Sequence, residues 1–135
     1  MIYVTRRADF SASHFYHNPQ LTPEENLSLF GKCNNPHGHG HNYTLEVTVA
    51  GDLDPRTGMV MDLKELKKVI EAEVMEAMDH RFLNEEVPAF RTLIPTPENI
   101  AIEVWKRLES RIAAGRLHRV RLYETPDLCV DYYGA

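Results

Sequence analysis

The chain has 135 residues, of which 43% are hydrophobic, and a formal net charge of −5, so we expect one domain, residues 1–135, with a single core. The acidic net charge argues against nucleic-acid binding, and the lack of a long apolar run argues against a membrane span or a signal peptide. Because two cysteines do not make a disulfide framework, we expect a cytoplasmic protein with free thiols.

The first predicted strand runs from Ile2 to Phe10 and continues into the sequence Ser-Ala-Ser-His. His14 lies at or just past the end of this strand, where a rigid element could aim its imidazole inward. On its own, this histidine does not establish a metal site. Residues 17–31 contain two prolines and a terminal glycine, which predict a long loop or a short helix.

A dense group of potential metal ligands precedes the second strand. His37, His39 and His41 alternate with glycines, and Cys33 lies just upstream. In an extended chain, side chains two residues apart point to the same face, so the three imidazoles could face one point. Neutral imidazole is a common zinc ligand, and zinc takes three or four such groups. The pattern therefore predicts a zinc site, although a solvated glycine-rich turn is the alternative and the spacing indicates no particular reaction.

Regular periodicity predicts a second strand, 42–50, and then a helix that ends near Met78. In the strand, apolar residues from Tyr43 to Val49 alternate with polar ones. Asp62 and Glu65 resemble a capping box at the start of the helix. Asp79-His80 follows the helix, and the residue types allow two interpretations. The histidine could interact with the helix dipole, which the pattern alone favours, or the two residues could form an acid–base pair.

A second helix is predicted from Thr96 as its N-cap to Gly115 at its C-terminal end. Strands 117–123 and 128–133 follow it. The order of strands and helices predicts an α+β fold, in which two helices cover one face of a four-stranded antiparallel sheet. A small open sheet of this kind leaves strand edges that something must cover.

Several motifs in this order resemble the 6-pyruvoyltetrahydropterin synthase family, which includes the bacterial 6-carboxytetrahydropterin synthases. The motifs are Phe10-Ser-Ala-Ser-His14, Cys33-Asn-Asn-Pro36, Gly38-His-Gly-His-Asn-Tyr43, Asp79-His80 and Tyr123-Glu124. The resemblance implies a zinc-dependent lyase that acts on 7,8-dihydroneopterin triphosphate. It also implies the tunnelling fold, in which three copies close a barrel of strands and two trimers stack into a homohexamer.

The resemblance also implies a role for each matching residue. The zinc ligands would be His14, His39 and His41, and the acid–base groups would be Cys33, Asp79 and His80. Glu124 would anchor the pterin ring, with further substrate contacts from Thr96, Glu98 and Asn99. In this scheme the nearby cation and histidines lower the pKa of the Cys33 thiol, which takes a proton from the substrate.

The spacing between the cysteine and the His-Gly-His motif leaves the product open. Mammalian-type synthases of the family have five residues in this interval, and the bacterial carboxy-forming enzymes have three. In this chain, five residues separate Cys33 from His39-Gly-His41, and three residues separate it from His37-Gly-His39. The Asn-Tyr pair after His41 favours His39 and His41 as ligands, with His37 as a spare. The product is then either the 6-pyruvoyl compound or the 6-carboxy compound with acetaldehyde.

Two other classes of protein share parts of this pattern. His39, His41 and Glu46 resemble the first metal motif of cupins, but two amphipathic helices and only about four strands argue against a cupin barrel. Glu46 should also point away from the His41 side of its strand. A non-catalytic zinc module, in which Cys33 joins three histidines, would instead close the site with four protein ligands.

Overall fold

The computed structural model describes residues 1–135 and has an α+β fold. The strands are β1 (Ile2–His14), β2 (His39–Gly51), β3 (Arg81–Phe82), β4 (Arg116–Thr125) and β5 (Leu128–Tyr132). The helices are α1 (Pro23–Phe30), α2 (Leu63–Ile70, continued by a π-helical turn, Glu71–Met75, and by Glu76–Met78), α3 (Leu83–Glu86) and α4 (Pro97–Leu108). Short 3₁₀ turns span Gly31–Asn34, Pro88–Arg91 and Glu109–Arg111. None of the helices combines the length and apolar character that a membrane crossing requires.

The strands form one sheet in the order β3-β1-β2-β4-β5. β1, β2, β4 and β5 pair antiparallel with their neighbours, whereas β3 pairs parallel with β1 at two positions. The α+β prediction is therefore confirmed, but the predicted number of four strands is wrong. β3 was missed because two residues are too few to show a periodic pattern.

The core lies between one face of the sheet and the two long helices. The inward side chains of β2, from Tyr43 to Val49, are fully buried. Leu66 and Ile70 of α2 and Val104 of α4 pack against them in one cluster. Burying each such side chain contributes about 1.5–3 kcal/mol. The opposite face of β2 carries polar side chains, so the alternation of the sequence correctly separated the two faces.

The β1–β2 ladder is longer than predicted, and its extra length builds the site. β1 continues past Phe10 to His14, and β2 begins at His39. In the observed register His14 lies opposite His39, the last pair of the ladder. The Ser-Ala-Ser segment lacks the bulky side chains that mark a strand in sequence, and here its pairing with β2 keeps it extended.

Two helix-end predictions were wrong. Asp62 caps α2 by accepting a hydrogen bond from the Lys64 N–H (2.9 Å), while a complete capping box instead joins Thr22 and Glu25 at α1. α4 ends at Leu108, well before Gly115. Gly115 has a φ of +69° and packs so closely on β2 that a Cβ atom would lie 2.6 Å from a carbonyl oxygen. This glycine therefore serves a close backbone approach rather than a helix cap.

Candidate active site

Three histidines meet at the end of the β1–β2 ladder. His14 and His39 face each other across the two strands, and His41 is on the same face of β2. One potential ligand atom from each histidine lies within 4.8 Å of the others. The imidazole centroids of His14 and His41 are 5.1 Å apart. These three residues, the set that the family resemblance implied, could hold one metal ion.

The surroundings of His14 leave it suited to bind a metal ion. The side chain is completely buried, and its Nδ1 atom lies 2.8 Å from the Pro95 carbonyl oxygen. Because a carbonyl can only accept, Nδ1 carries the proton in this contact and Nε2 is left with a free lone pair. Burial lowers the pKa of His14 to about 4, so the imidazole is neutral at pH 7.

The remaining two histidines also fit a metal site. The Nε2 atom of His41 is buried and has no hydrogen-bond partner, which is costly unless another group satisfies it. Burial also lowers the pKa of His41, against the opposing effect of Glu124, which favours the neutral form that binds metals. The Nε2 atom of His39 lies 3.2 Å from Nε2 of His14. Two lone pairs at this distance repel unless a proton or a cation lies between them, so the donor set suits a cation.

His37 lies outside this cluster. It is exposed in the turn before β2, where its backbone N–H donates to Asn35 Oδ1 (3.0 Å). Gly38 has a φ of +76°, so the chain turns between His37 and His39 instead of running extended. The prediction that all three alternating histidines share one face is therefore wrong for His37.

Neither alternative metal site forms. Cys33 is not a member of the ligand cluster, so the four-ligand site of a structural zinc module is absent. Glu46 lies on the opposite face of β2, where its carboxylate is 3.5 Å from Arg119 Nη2. A cupin-type site with Glu46 as a ligand is therefore also absent.

Glu124 and Cys33 lie close together beside the histidine cluster. The Glu124 side chain, at the end of β4, is 13% exposed, and its Oε1 atom is 3.6 Å from His41 Nε2. Cys33 is half-buried in the 3₁₀ turn Gly31–Asn34. Burial, and then the negative charge of Glu124, raise the pKa of the Cys33 thiol. The residues around Cys33 therefore favour the protonated thiol, and the predicted lowering of its pKa depends on the cation.

Tyr16 joins these residues and was not identified from the sequence. Its Oη atom is 3.4 Å from Glu124 Oε2, and its ring packs edge-on against His14, with centroids 4.9 Å apart. The Tyr16 N–H donates to the Cys33 carbonyl (2.7 Å). Burial first, and then the charges of Glu124, Cys33 and Glu98, raise the pKa of its phenol. The only indication of Tyr16 in the sequence is that it follows His14 by two residues. Because the predicted strand ended at Phe10, the sequence did not place Tyr16 near the histidines.

The start of α4 closes one side of the cluster. The Thr96 hydroxyl caps the helix by accepting from the Asn99 N–H (3.2 Å), and Asn99 Nδ2 donates to the Ile94 carbonyl (2.8 Å). Both side chains thus hold the segment whose Pro95 carbonyl orients His14. Substrate contacts from Thr96, Glu98 and Asn99 remain predictions.

Asp79 and His80 form a pair, but they lie at the edge of the sheet. Asp79 Oδ1 accepts from the Ser11 N–H (2.9 Å), and the His80 N–H donates to the Ser11 carbonyl (2.6 Å). The bond from Ser11 is the main cause of the lowered pKa of Asp79. His80 Nδ1 is 2.9 Å from Asp79 Oδ1, and its side chain is 83% exposed. No hydrogen bond or ion pair joins either residue to the histidine cluster.

Comparisons with known proteins assign the family. The family model described as 6-pyruvoyl tetrahydropterin synthase matches residues 3–135. The chain is 50% identical to human 6-pyruvoyl tetrahydrobiopterin synthase over 131 residues, which are 97% of this chain and 90% of that protein. It is 37% identical to a candidate 6-carboxy-5,6,7,8-tetrahydropterin synthase from Archaeoglobus fulgidus over 66% of this chain and 70% of that one. The structure of 6-pyruvoyl tetrahydropterin synthase from Caenorhabditis elegans superposes with a TM-score of 0.94 at 41% identity, covering 99% of this chain and 96% of that chain. The chain therefore belongs to the 6-pyruvoyl tetrahydropterin synthase family.

Proposed function

We propose that this protein is a zinc-dependent lyase that converts 7,8-dihydroneopterin triphosphate into 6-pyruvoyltetrahydropterin and eliminates triphosphate. The observation that carries the proposal is the cluster of His14, His39 and His41, with Glu124 and Cys33 beside it. The cluster supplies three imidazole nitrogen ligands, as catalytic zinc sites commonly do. The names of the human and nematode relatives support the same activity.

The histidine cluster would hold the zinc ion and leave one coordination position open for substrate. A bound zinc ion supplies Lewis-acid polarisation of a substrate oxygen, which makes the neighbouring C–H bond more acidic. The hydrogen bond from His14 Nδ1 to the Pro95 carbonyl fixes the ring so that Nε2 faces His39 Nε2, where the ion would be held.

Glu124 is suited to bind the pterin ring. Its carboxylate is nearly buried, and no lysine or arginine lies within ion-pair distance of it. Such a carboxylate needs hydrogen-bond donors, because burying a charge without partners is costly. The amino group and ring N–H of a pterin present two parallel donors, which one carboxylate can accept together.

Cys33 and the Asp79–His80 pair would move protons. In the proposed reaction the Cys33 thiolate takes a proton from a side-chain carbon of the substrate, and His80 transfers a proton on the opposite side. Asp79 faces His80 Nδ1 at 2.9 Å, which leaves Nε2 for the transfer. The raised pKa of the Cys33 thiol means that the protein alone disfavours the thiolate. The cation and the substrate must therefore supply its stabilisation.

Asp79 and His80 would act in the site of another copy of the chain. They lie at the edge of β1, with Asp79 half-buried and His80 exposed, and no hydrogen bond or ion pair joins them to the histidine cluster of their own chain. On the side of β1 away from β2, residues 2–10 have no neighbouring strand, and neither does the outer edge of β5, so both edges are available for pairing. These features support the homohexamer, a dimer of trimers that close a barrel of strands, that the family resemblance implies.

The alternative product is 6-carboxytetrahydropterin, formed with release of acetaldehyde. The Archaeoglobus relative supports it, but that match covers 66% of the chain, against 97% for the human relative. The exposed position of His37 also favours the five-residue spacing of the pyruvoyl-forming enzymes, since the three-residue spacing would need His37 as a ligand. The pyruvoyl product is therefore the first candidate.

Product analysis tests this proposal. Zinc-loaded, freshly reduced protein is incubated with 7,8-dihydroneopterin triphosphate, and the pterins are identified by mass spectrometry. We expect 6-pyruvoyltetrahydropterin and stoichiometric triphosphate. 6-Carboxytetrahydropterin with acetaldehyde would establish the alternative, and no turnover would exclude both forms of the lyase.

A further inference from the structure

We propose that Tyr16 is a positioning residue, whose hydroxyl holds the Glu124 carboxylate in the orientation that binds the pterin. This inference rests on the proposed function, in which Glu124 anchors the ring. The Tyr16 Oη atom lies 3.4 Å from Glu124 Oε2, while the other carboxylate oxygen, Oε1, lies 3.6 Å from His41 Nε2. The tyrosine and the histidine therefore face different oxygens of one carboxylate.

The backbone and the ring of Tyr16 are both fixed. Its N–H donates to the Cys33 carbonyl (2.7 Å), and its own carbonyl accepts from Asn34 Nδ2 (2.8 Å). Its ring packs edge-on against His14 and Phe30, with centroids 4.9 and 5.9 Å away. A side chain held at so many points loses little further entropy when it makes one more hydrogen bond. Tyr16 can therefore act as a rigid donor for a more mobile carboxylate.

Glu124 needs such a donor because it has no other fixed partner. Besides Tyr16, only His41 lies within ion-pair distance of its carboxylate, and His41 Nε2 is the atom that would bind the metal. A carboxylate free to rotate could turn towards that metal and occupy the position meant for substrate. A hydrogen bond from Tyr16 to Oε2 opposes this rotation and keeps the carboxylate directed at the ring donors of the pterin.

The expected effect is modest. A distance of 3.4 Å is longer than that of a strong O–H···O hydrogen bond, for which 2.5–3.0 Å is typical. Losing an ordinary hydrogen bond of this kind changes an equilibrium by roughly 3- to 10-fold. Because the bond acts on the anchor of the ring and not on the reacting carbon, it should alter pterin binding and leave kcat little changed.

The test is a double-mutant cycle on zinc-loaded protein with Tyr16→Phe, Glu124→Gln and the double variant. Phenylalanine keeps the ring packing against His14 and removes only the hydroxyl. The control is Tyr132→Phe, since Tyr132 packs edge-on against Trp105, remote from the histidine cluster. For each variant we would measure kcat and KM, the Kd for neopterin by calorimetry, the zinc content and the Tm. Neopterin carries no triphosphate to eliminate, so its Kd reports binding alone.

We expect Tyr16→Phe to raise both KM and the neopterin Kd by roughly 3- to 10-fold, with unchanged zinc content. In the Glu124→Gln background the same substitution should have no further effect on kcat/KM, because the two residues act as one unit. Additive effects would mean that Tyr16 does not act through Glu124, and a lower Tm with unchanged KM would mean a structural role. Either result, or no effect at all, overturns the inference.

If wild-type protein neither binds neopterin nor turns over the substrate, the proposed function itself fails, and the wild-type measurement reveals this before any variant is compared.

Discussion

The two parts of the candidate site differ in how completely one chain builds them. The histidine cluster lies on the buried face of the sheet, and its geometry is fixed by the β1–β2 ladder and by the hydrogen bond from His14 to Pro95. The Asp79–His80 pair lies at an exposed edge, and His80 has a φ of +61°. One chain therefore preforms the histidine cluster, whereas the Asp79–His80 pair lies at the edge of the sheet with the imidazole exposed.

The largest effect should follow from removing a ligand of the preformed part. We expect His39→Ala to abolish stoichiometric zinc binding and to lower kcat/KM by at least about 1,000-fold, because Lewis-acid stabilisation is worth several kcal/mol. The matched control is His37→Ala, two residues away in an exposed turn. It should keep full zinc content and turnover. Metal analysis of dialysed protein and steady-state kinetics measure both, and zinc loss in His37→Ala would contradict the proposed ligand set.

The acid–base part can be tested by mixing two inactive variants. Cys33→Ala and His80→Ala should each be inactive alone. If each site combines Cys33 of one copy with His80 of another, random co-assembly at equal amounts leaves about a quarter of the sites with both groups intact. We therefore expect co-expressed variants to regain about a quarter of the wild-type activity.

A second mixture controls for recovery by any other route. Asp79→Ala and His80→Ala remove two groups that contact each other at 2.9 Å within one chain. Their mixture should stay inactive, because no site then receives an intact pair. If Cys33→Ala with His80→Ala also fails to recover, both groups come from the same chain, and the inference that they serve different copies is wrong.

The sequence predicted the contents of the site better than its geometry. Alternation in β2 correctly placed His39 and His41 on the face of Tyr43, because a period of two survives wherever the strand is paired. The position of His14 opposite His39 depends on the register between two strands, which neither strand encodes alone. His37 lies outside the histidine cluster because Gly38 has a positive φ. A glycine permits this conformation but does not require it, so the sequence alone does not predict the turn.

Other features depend on contacts that no local pattern contains. The Cys33 pKa is raised because folding buries the thiol and brings up a carboxylate from β4, at the far end of the chain. The contact between Tyr16 and Glu124 likewise joins residues that are far apart in the chain and meet only on folding. Asp79–His80 was identified as a pair from adjacent residues, but its separation from the histidine cluster arises from the docking of β3 on the edge of β1. Such long-range placement becomes visible only in the fold.

A pH measurement can sharpen the electrostatic description of the preformed part. Only the thiolate of a cysteine reacts with iodoacetamide. Because burial and Glu124 both favour the protonated thiol of Cys33, its alkylation rate in chelator-treated protein should rise to a midpoint above about pH 8.5, the ordinary value for a free cysteine. The experiment uses the Cys129→Ser background, since Cys129 is exposed and would react as well.

The contribution of Glu124 can be separated by one substitution. Glu124→Gln removes a negative charge and nearly preserves the volume, so the alkylation midpoint should move down towards the ordinary value without returning to it. Circular dichroism at each pH confirms that the fold is intact. A midpoint that does not move would show that burial alone raises the pKa of the thiol.

The smallest effect concerns the backbone of the exposed part. A non-glycine residue in the left-handed region costs roughly 1–2 kcal/mol, and His80 has a φ of +61° there. His80→Gly and His80→Ala both remove the imidazole and its contact with Asp79, but only glycine relieves the backbone. We expect the glycine variant to exceed the alanine variant by about 1 kcal/mol in the free energy of unfolding, measured by urea titration at equal protein concentration. Both should be inactive if His80 transfers the proton as proposed, because its imidazole is gone. Equal stabilities would mean that the backbone at position 80 is not strained. The expected difference would instead mean that the fold loses stability at this edge to hold a non-glycine residue in a left-handed conformation.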